Sequence, residues 1–157
     1  SWEVLERALD GLDLPVQETL RLRDVVGWEQ RDACDALGLT EAEERALLHE
    51  GRTALCVAVR DHLAAPPWPD PPCGTPPLAI SEHLEGGLPL QAASDLERHL
   101  AGCGHCADRL QWLRGISTLL GMLRQPPGVQ ADPELHAIFR RWRAGRRLRL
   151  WHRLLAR

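Results

Sequence analysis

A proline-rich segment in the middle of the chain limits what the rest can form. Seven of the twelve residues from Pro66 to Pro77 are proline, and this density excludes a continuous helix and favours an extended, semi-rigid spacer. A chain of 157 residues has room for one ordinary domain or two small ones. We therefore predict a module over residues 1–65, a linker over 66–77, a second module over 73–125 and a C-terminal segment over 126–157.

The apolar residues of the chain favour helices over strands. Leucine is abundant, whereas isoleucine is rare and phenylalanine occurs once, so a β-rich core has little to build from. No apolar run approaches the roughly 18 residues of a membrane span, and the N-terminus has no signal-peptide pattern. We expect an all-α protein of the cytoplasm, without a transmembrane segment.

Charge is distributed unevenly along the chain. Residues 1–65 carry 14 acidic groups and 7 arginines, residues 66–131 carry 6 and 4, and residues 132–157 carry 2 and 8. The net charges of these segments are therefore −7, −2 and +6. The chain joins an acidic module, a nearly neutral module and a basic tail.

Periodic apolar residues predict four helices in the first module, over about 2–12, 15–26, 29–37 and 41–63. Between the last two, Gly38 suits a left-handed cap, and Thr40 begins a capping box with Glu43. Two helices joined by a tight glycine turn are typical of a helix-turn-helix. The inward positions expected on the last helix are Ala46, Leu47, Leu55, Val59 and Leu63.

The amino-acid sequence of this module resembles that of a known family. The segment LPVQETLRLRDVVGWEQRDACDALGLTEAEERALLHEGRTAL is similar to region 4 of extracytoplasmic-function sigma factors, and the resemblance covers about residues 2–60. It implies a promoter-reading module that also docks on RNA polymerase.

The recognition helix departs from the family pattern. That helix usually opens with Asn-Gln-Arg, whereas Glu43 and Glu44 replace the amides here and Glu50 replaces a later arginine. Because DNA affinity comes largely from cations that neutralise phosphates, we expect weakened DNA reading from these outward-facing acids. The alternative is that the acids only complement the helix dipole and the module reads promoter DNA in the ordinary way. The candidate recognition-helix residues are Glu41, Ala42, Glu43, Glu44, Arg45, His49 and Arg52.

The second module contains a pattern of metal ligands. Cys73, His99, Cys103 and Cys106 have the spacing C-x25-H-x3-C-x2-C, and three thiolates with one imidazole form a common closed zinc site. We expect one Zn²⁺ per chain. A first alternative is that Cys103-Gly104-His105-Cys106 is a dithiol oxidoreductase motif, which would follow a β-strand. A second alternative is that the three cysteines are only buried apolar side chains.

This module also resembles a family. The segment CGTPPLAISEHLEGGLPLQAASDLERHLAGCGHCADRLQWLRGISTLLGMLRQPP is similar to the zinc-binding anti-sigma domain over about residues 73–143. All four ligand positions of that family are filled. The resemblance implies helices that bind a sigma factor and keep it from RNA polymerase, and some members release it when their cysteines oxidise. The expected architecture is a four-helix helix-turn-helix module, a linker, and a small zinc-stapled helical module with a basic C-terminal helix.

The basic C-terminal helix is amphipathic, with Leu135, Ile138, Phe139 and Trp142 in one stripe. Three interpretations stay open: docking on an acidic surface such as the first module, binding of nucleic-acid phosphates, or contact with an anionic membrane surface. The arginines of this tail are Arg140, Arg141, Arg143, Arg146, Arg147, Arg149 and Arg153.

The resemblances together favour a regulator of bacterial transcription initiation. Its expected partners are RNA polymerase, a sigma factor or both, with promoter DNA as a further candidate and no small-molecule substrate. The competing class is an enzyme, a dithiol oxidoreductase centred on Cys103 and Cys106. Because no paired-carboxylate site, nucleophile triad or phosphate-binding glycine loop is visible in the sequence, we expect no catalysis.

Overall fold

The computed structural model describes residues 2–66, 68 and 73–122. Every regular element in these ranges is helical, so the predicted all-α class is confirmed. No described helix combines the length and the apolarity that a bilayer crossing requires. The elements are α1 (Trp2–Asp10), α2 (Leu14–Leu20), a π-helical segment (Arg21–Val26), α3 (Gln30–Leu37), α4 (Glu41–His62), α5 (Pro77–Leu84), α6 (Leu90–Gly102) and α7 (Gly104–Gly121).

The turn between α3 and α4 has the geometry that its residues predict. Gly38 ends α3 in the left-handed conformation, with φ of 67°. The Glu43 N–H donates to Thr40 Oγ1 over 3.3 Å, and the Thr40 N–H donates to Glu43 Oε2 over 2.8 Å. The predicted capping box is therefore confirmed, and it fixes where α4 begins.

A π-helical segment, which the sequence pattern did not predict, continues α2 without a break. It buries Leu22, Asp24 and Val25 together, and Gly27 ends it. Such segments often occur at functional sites because the wider turn redirects side chains. Here the segment directs the carboxylate of Asp24 toward α4, as described below.

The buried face of α4 differs from the predicted one. Ala46 is exposed and Leu63 is 62% exposed, so the prediction that they face inward is wrong. Apolar periodicity could not identify the true face because three of its members are charged side chains buried with partners. The buried residues of α4 are Glu44, Leu48, Gly51, Arg52, Leu55, Cys56 and Arg60.

Helices α2 and α4 approach each other closely at Gly51. A methyl group on its Cα would lie 3.1 Å from Val16 Cγ1 and 3.3 Å from Leu20 Cδ1. Glycine in a helix interior costs about 1 kcal/mol relative to alanine. The close contact explains its presence here, because a side chain would push the two helices apart.

The helices before and after the linker share one apolar core. Leu48 and Leu55 of α4 belong to the same buried cluster as Ile80 of α5 and Leu113 and Leu120 of α7, and each is at most 1% exposed. Helix α7 packs on α4 and on the π-helical segment, and α5 packs on α4 and α7. The linker therefore joins two segments that lie against each other.

Trp68 attaches the linker to both segments. The guanidinium carbon of Arg60 lies 4.9 Å from the centroid of the Trp68 ring and 5.0 Å from that of Trp112 in α7. Trp68 Nε1 donates to Asp108 Oδ2 over 3.0 Å, and Arg60 Nη2 donates to the Pro66 carbonyl over 2.5 Å. We call this group of five residues the linker clip.

Candidate metal centre and interface ion network

Four potential metal ligands meet where α5, α6 and α7 come together. His99 lies in the last turn of α6, Cys103 connects α6 to α7, and Cys106 lies in the first turn of α7. Cys73 precedes α5. The ligand atoms of these four residues all lie within 4.8 Å of one another. The predicted ligand set is thus brought together, and it can hold one metal ion.

The separations of the sulfur atoms suit a tetrahedral ion. Cys73 Sγ lies 3.5 Å from Cys106 Sγ and 3.9 Å from Cys103 Sγ. A zinc–sulfur bond of about 2.3 Å in a tetrahedron places two sulfurs about 3.8 Å apart. All three cysteines are free thiols, so their sulfurs are available to one ion.

The fourth ligand has a buried atom that lacks a partner. Among the described residues, none forms a hydrogen bond with His99 Nε2, which is buried. A buried nitrogen without a partner is costly, and a metal ion would satisfy it. The donor set, three sulfurs and one imidazole nitrogen, is one that zinc commonly takes in structural sites.

The thiols of this cluster differ in acidity. Hydrogen bonds with Thr75 lower the pKa of Cys73 to about 6, whereas burial raises the pKa of Cys106 to about 12. Cys73 is exposed, and its lowered pKa favours the thiolate at neutral pH. Cys106 needs a neighbouring cation to lose its proton, which is what a bound metal ion provides.

Two structural observations bear on the alternative interpretations of the cysteines. A dithiol oxidoreductase motif would follow a strand, but α6 precedes Cys103, and no strand occurs in the part of the chain that the structure describes. Cys34 and Cys56 are buried and do not belong to the metal cluster. Burial raises the pKa of Cys56 to about 12, so that thiol is unreactive.

A second polar cluster lies between the segments before and after the linker, around Arg52. This residue is 1% exposed. Its Nε donates to Asp24 Oδ2 over 2.8 Å and its Nη2 donates to Asp24 Oδ1. Its Nη1 lies 2.7 Å from Glu85 Oε1, and its Nη2 also donates to Ser117 Oγ over 3.3 Å. Burial opposes the charge, but Asp24 and Glu85 outweigh burial and raise the pKa of Arg52.

Arg23 shares Glu85 with Arg52. Arg23 Nη2 lies 2.5 Å from Glu85 Oε2, and Arg23 Nε lies 2.9 Å from Glu44 Oε1. Gln30 Nε2 donates to the other oxygen of Glu44 over 2.8 Å. Glu44 is fully buried, so these two partners explain how its carboxylate is accommodated.

Arg45 forms the outer part of the same cluster. Its Nε lies 3.0 Å from Glu82 Oε1, and its Nη1 lies 3.4 Å from Glu41 Oε2 in the preceding turn. Glu82 in the last turn of α5 and Glu85 directly after it therefore engage three arginines from the segment before the linker. We call Arg23, Arg45, Arg52, Glu82 and Glu85 the interface lock.

The candidate recognition-helix residues separate into outward and inward groups. Glu44 and Arg52 are buried, so the expectation that Glu44 faces outward is wrong. The reason is its spacing, because Glu44 and Arg52 lie four residues before and after Leu48 on the buried face of α4. Of the other candidates, Glu41, Ala42 and Glu43 are exposed, while Arg45 and His49 are half-buried.

Sequence reasoning missed Glu82 and Glu85 as members of the interface lock. Their spacing of three places them on one side of α5, and this was the only available signal. Glu85 meets Arg23 across 62 positions of sequence, and no local pattern indicates such a pairing. The predicted basic tail lies outside the described residues, namely Arg140, Arg141, Arg143, Arg146, Arg147, Arg149 and Arg153.

Comparisons with models of protein families, with curated proteins and with solved structures found no match to this chain.

Proposed function

We propose that the chain is a cytoplasmic regulator of bacterial transcription initiation, in which a zinc anti-sigma-like module covers a sigma region-4-like module of the same chain. Two sequence resemblances support this proposal. The structural observation that carries it is the packing of α5 and α7 on α4, with the interface lock inside that contact. Partners of the uncovered module would be RNA polymerase, a sigma factor or both.

In this proposal Cys73, His99, Cys103 and Cys106 hold one Zn²⁺. The ion is structural, because all four positions are protein ligands and such sites leave no open position for a substrate. It would tie the residue before α5 to the junction of α6 and α7. Since α5 carries Glu82 and Glu85 lies directly after it, fixing this helix also positions both carboxylates of the interface lock.

The covered module is proposed to read DNA weakly. Arg45 and Arg52 are the arginines among its candidate recognition-helix residues, and both are paired with carboxylates. Glu41, Glu43 and Glu50 remain exposed on the same helix. Phosphates bind where cations are available to them, so the pairing of the arginines and the exposed acids both oppose DNA.

Direct binding tests this proposal. The metal-loaded full chain is immobilised, and purified RNA polymerase and the sigma factors of the bacterium that encodes the chain are passed over it. We expect a saturable complex with at least one of them. Cys103→Ser should bind polymerase more tightly because the cover loosens, whereas Cys34→Ser, which leaves the metal ligands intact, should behave like the unchanged chain. If the folded, metal-loaded protein binds neither polymerase nor any sigma factor, the proposal is wrong.

A further inference from the structure

We propose that the groove between α4 and α7 is a binding site for a small amphiphilic acid, a molecule with an alkyl chain and one carboxylate. Val59 of α4 lines this groove together with five residues of α7, namely Gln111, Trp112, Gly115, Ile116 and Leu119. The groove has a volume of about 360 Å³, which lies within the range of about 300–1,000 Å³ that is typical of small-molecule sites. The inference goes beyond the proposed function and does not depend on it, because the groove belongs to the folded chain whatever its partners are.

The lining of the groove is apolar along most of its length. Among the described residues that line it, Gln111 carries the one amide side chain, and the others are apolar. Val59, Trp112 and Leu119 are half-buried, so part of each side chain still faces water. From Gln111 to Leu119 the groove follows about 12 Å of α7. Because the transfer of apolar surface out of water is favourable, this lining suits a medium-length alkyl chain.

Gly115 keeps the groove open. It lies in the interior of α7, where glycine lowers helix stability relative to alanine. A methyl group on its Cα would meet no atom within 4 Å, so close packing does not explain this glycine, in contrast to Gly51. Because Gly115 lines the groove, a larger side chain at this position would take up space in it. The missing side chain therefore leaves room for a ligand.

The end of the groove at Trp112 is cationic. The guanidinium carbon of Arg60 lies 5.0 Å from the centroid of the Trp112 ring. Arg109 lies three residues before Trp112 on α7, so the two side chains are neighbours on the helix surface. Asp108 Oδ2 lies 3.3 Å from Arg60 Nη1. Within the described ranges Arg109 stacks on Trp68, 4.9 Å from the ring centroid, without forming an ion pair. Two guanidiniums and one carboxylate leave a charge of +1 at this end.

Arg60 also has a donor that nothing described accepts from. Its side chain is 9% exposed, and its Nε is buried and has no hydrogen-bond partner among the described residues. A buried donor without an acceptor is costly, and a carboxylate at this end of the groove would supply acceptor oxygens of the kind that arginine binds best.

The charge of the groove selects among its possible occupants. A carboxylate with an alkyl chain matches a lining that is cationic at one end and apolar along the rest. The apolar stripe of the C-terminal segment is a poorer match, because residues 132–157 have a net charge of +6 and would bring arginines to the cationic end. A bound acid would contact Val59, which precedes the linker, and α7, which follows it. It should therefore stabilise the packing of α4 on α7.

Calorimetric titration of the full, metal-loaded chain tests the inference. The probe is decanoate, kept below the concentration at which it aggregates, and decanol is its neutral analogue. We expect saturable binding of decanoate and a higher Tm in its presence, because a ligand that binds only the folded chain stabilises it. Decanol should bind at least about fivefold more weakly, since it offers no charge to Arg60 and Arg109.

Two substitutions at Gly115 form a matched pair. Gly115→Phe should fill the groove and weaken decanoate binding by at least about tenfold, whereas Gly115→Ala adds only a methyl group and should change the affinity by less than about twofold. Both variants should fold, because a Cβ at this position meets no atom within 4 Å, and circular dichroism checks this. Arg109→Gln should weaken the binding of decanoate by about threefold and leave that of decanol unchanged.

Four results would overturn the inference. The first is a folded chain that does not bind decanoate, and the second is equal affinity of Gly115→Phe and Gly115→Ala, since the acid would then bind elsewhere. The third is binding of decanoate only after Phe139→Ser/Trp142→Ser, which would assign the groove to the C-terminal segment. The fourth is a dimer that Gly115→Phe converts to a monomer in sedimentation, which would make the groove an interface between two copies of the chain.

Discussion

Arg45 and Arg52 lie on the same helix, and each pairs with a carboxylate at the C-terminal end of α5, but at different depths. The Arg52 side chain is 2% exposed and has Asp24 and Glu85 as ionic partners. The Arg45 side chain is 27% exposed and its partner Glu82 is 24% exposed. Replacing each arginine with glutamine, which cannot carry the charge, therefore measures how burial controls the strength of the interface lock.

The two substitutions should differ severalfold in their effect on stability. Arg52→Gln leaves the buried Asp24 without its compensating charge, and breaking a buried pair in this way costs about 3–5 kcal/mol. Arg45→Gln removes a pair that water already screens, which costs about 0–1 kcal/mol. For a chain of this size, a loss of about 1 kcal/mol in the free energy of unfolding lowers the Tm by about 2–4 °C. Arg52→Gln should therefore lower the Tm by roughly 6–20 °C.

Urea unfolding of the metal-loaded full chain, followed by helical circular dichroism, provides the free energies. Arg52→Lys should fall between the unchanged protein and Arg52→Gln, because lysine keeps the charge but lacks the planar fork that binds Asp24 through two donors. Equal losses for Arg45→Gln and Arg52→Gln would refute the reasoning, since the depth of the pair would then have no influence on its contribution.

Three further predictions concern the metal site and the packing of α4. Elemental analysis of the reduced protein should find about one zinc per chain. Cys103→Ser should lose the zinc, and Cys34→Ser should keep it. Less than half an equivalent of zinc in the unchanged protein would contradict the site. Peroxide should oxidise the thiolates of Cys73 and Cys106, 3.5 Å apart, to a disulfide while being reduced to water, and this should release the ion; metal that stays bound after treatment would show that the site does not respond to oxidant. Gly51→Ala should destabilise the protein by about 1 kcal/mol despite its gain in helix propensity, because overpacking costs more; a stabilised variant in urea unfolding would show that α2 and α4 can separate freely.

The parts of the structure that the sequence predicted are those set by local rules. The capping box depends on two side chains three residues apart, Thr40 and Glu43, and on the turn at Gly38, so neighbouring residues determine it. His99, Cys103 and Cys106 lie within eight residues at the junction of α6 and α7, so local helix geometry largely sets their mutual distances. Cys73 was predicted as the fourth ligand because the chemistry of zinc requires four donors.

The parts that sequence reasoning missed depend on contacts between distant segments. The face of α4 that carries Glu44 and Arg52 is buried because Arg23, Asp24 and Glu85 satisfy its charges, and an apolar pattern contains no information on such partners. The same holds for Glu85, whose partners precede the linker. Charged residues at core positions are ambiguous in a single sequence, since their burial depends on whether the fold supplies a counter-charge.

The linker clip has a kinetic consequence for metal capture. Of the four ligands, Cys73 alone lies outside residues 99–106, and four residues separate it from Trp68. Five steps of backbone reach at most about 18 Å, so the clip confines the Cys73 thiolate to a small volume next to the other ligands. A group on a short linker has an effective concentration in the millimolar range at its binding site, and we expect the same for the Cys73 thiolate. An ion already bound by His99, Cys103 and Cys106 would thus find its fourth ligand, the Cys73 thiolate, close by. If the bond to Cys73 broke, the thiolate would rebind the ion faster than the ion could dissociate from the other three ligands.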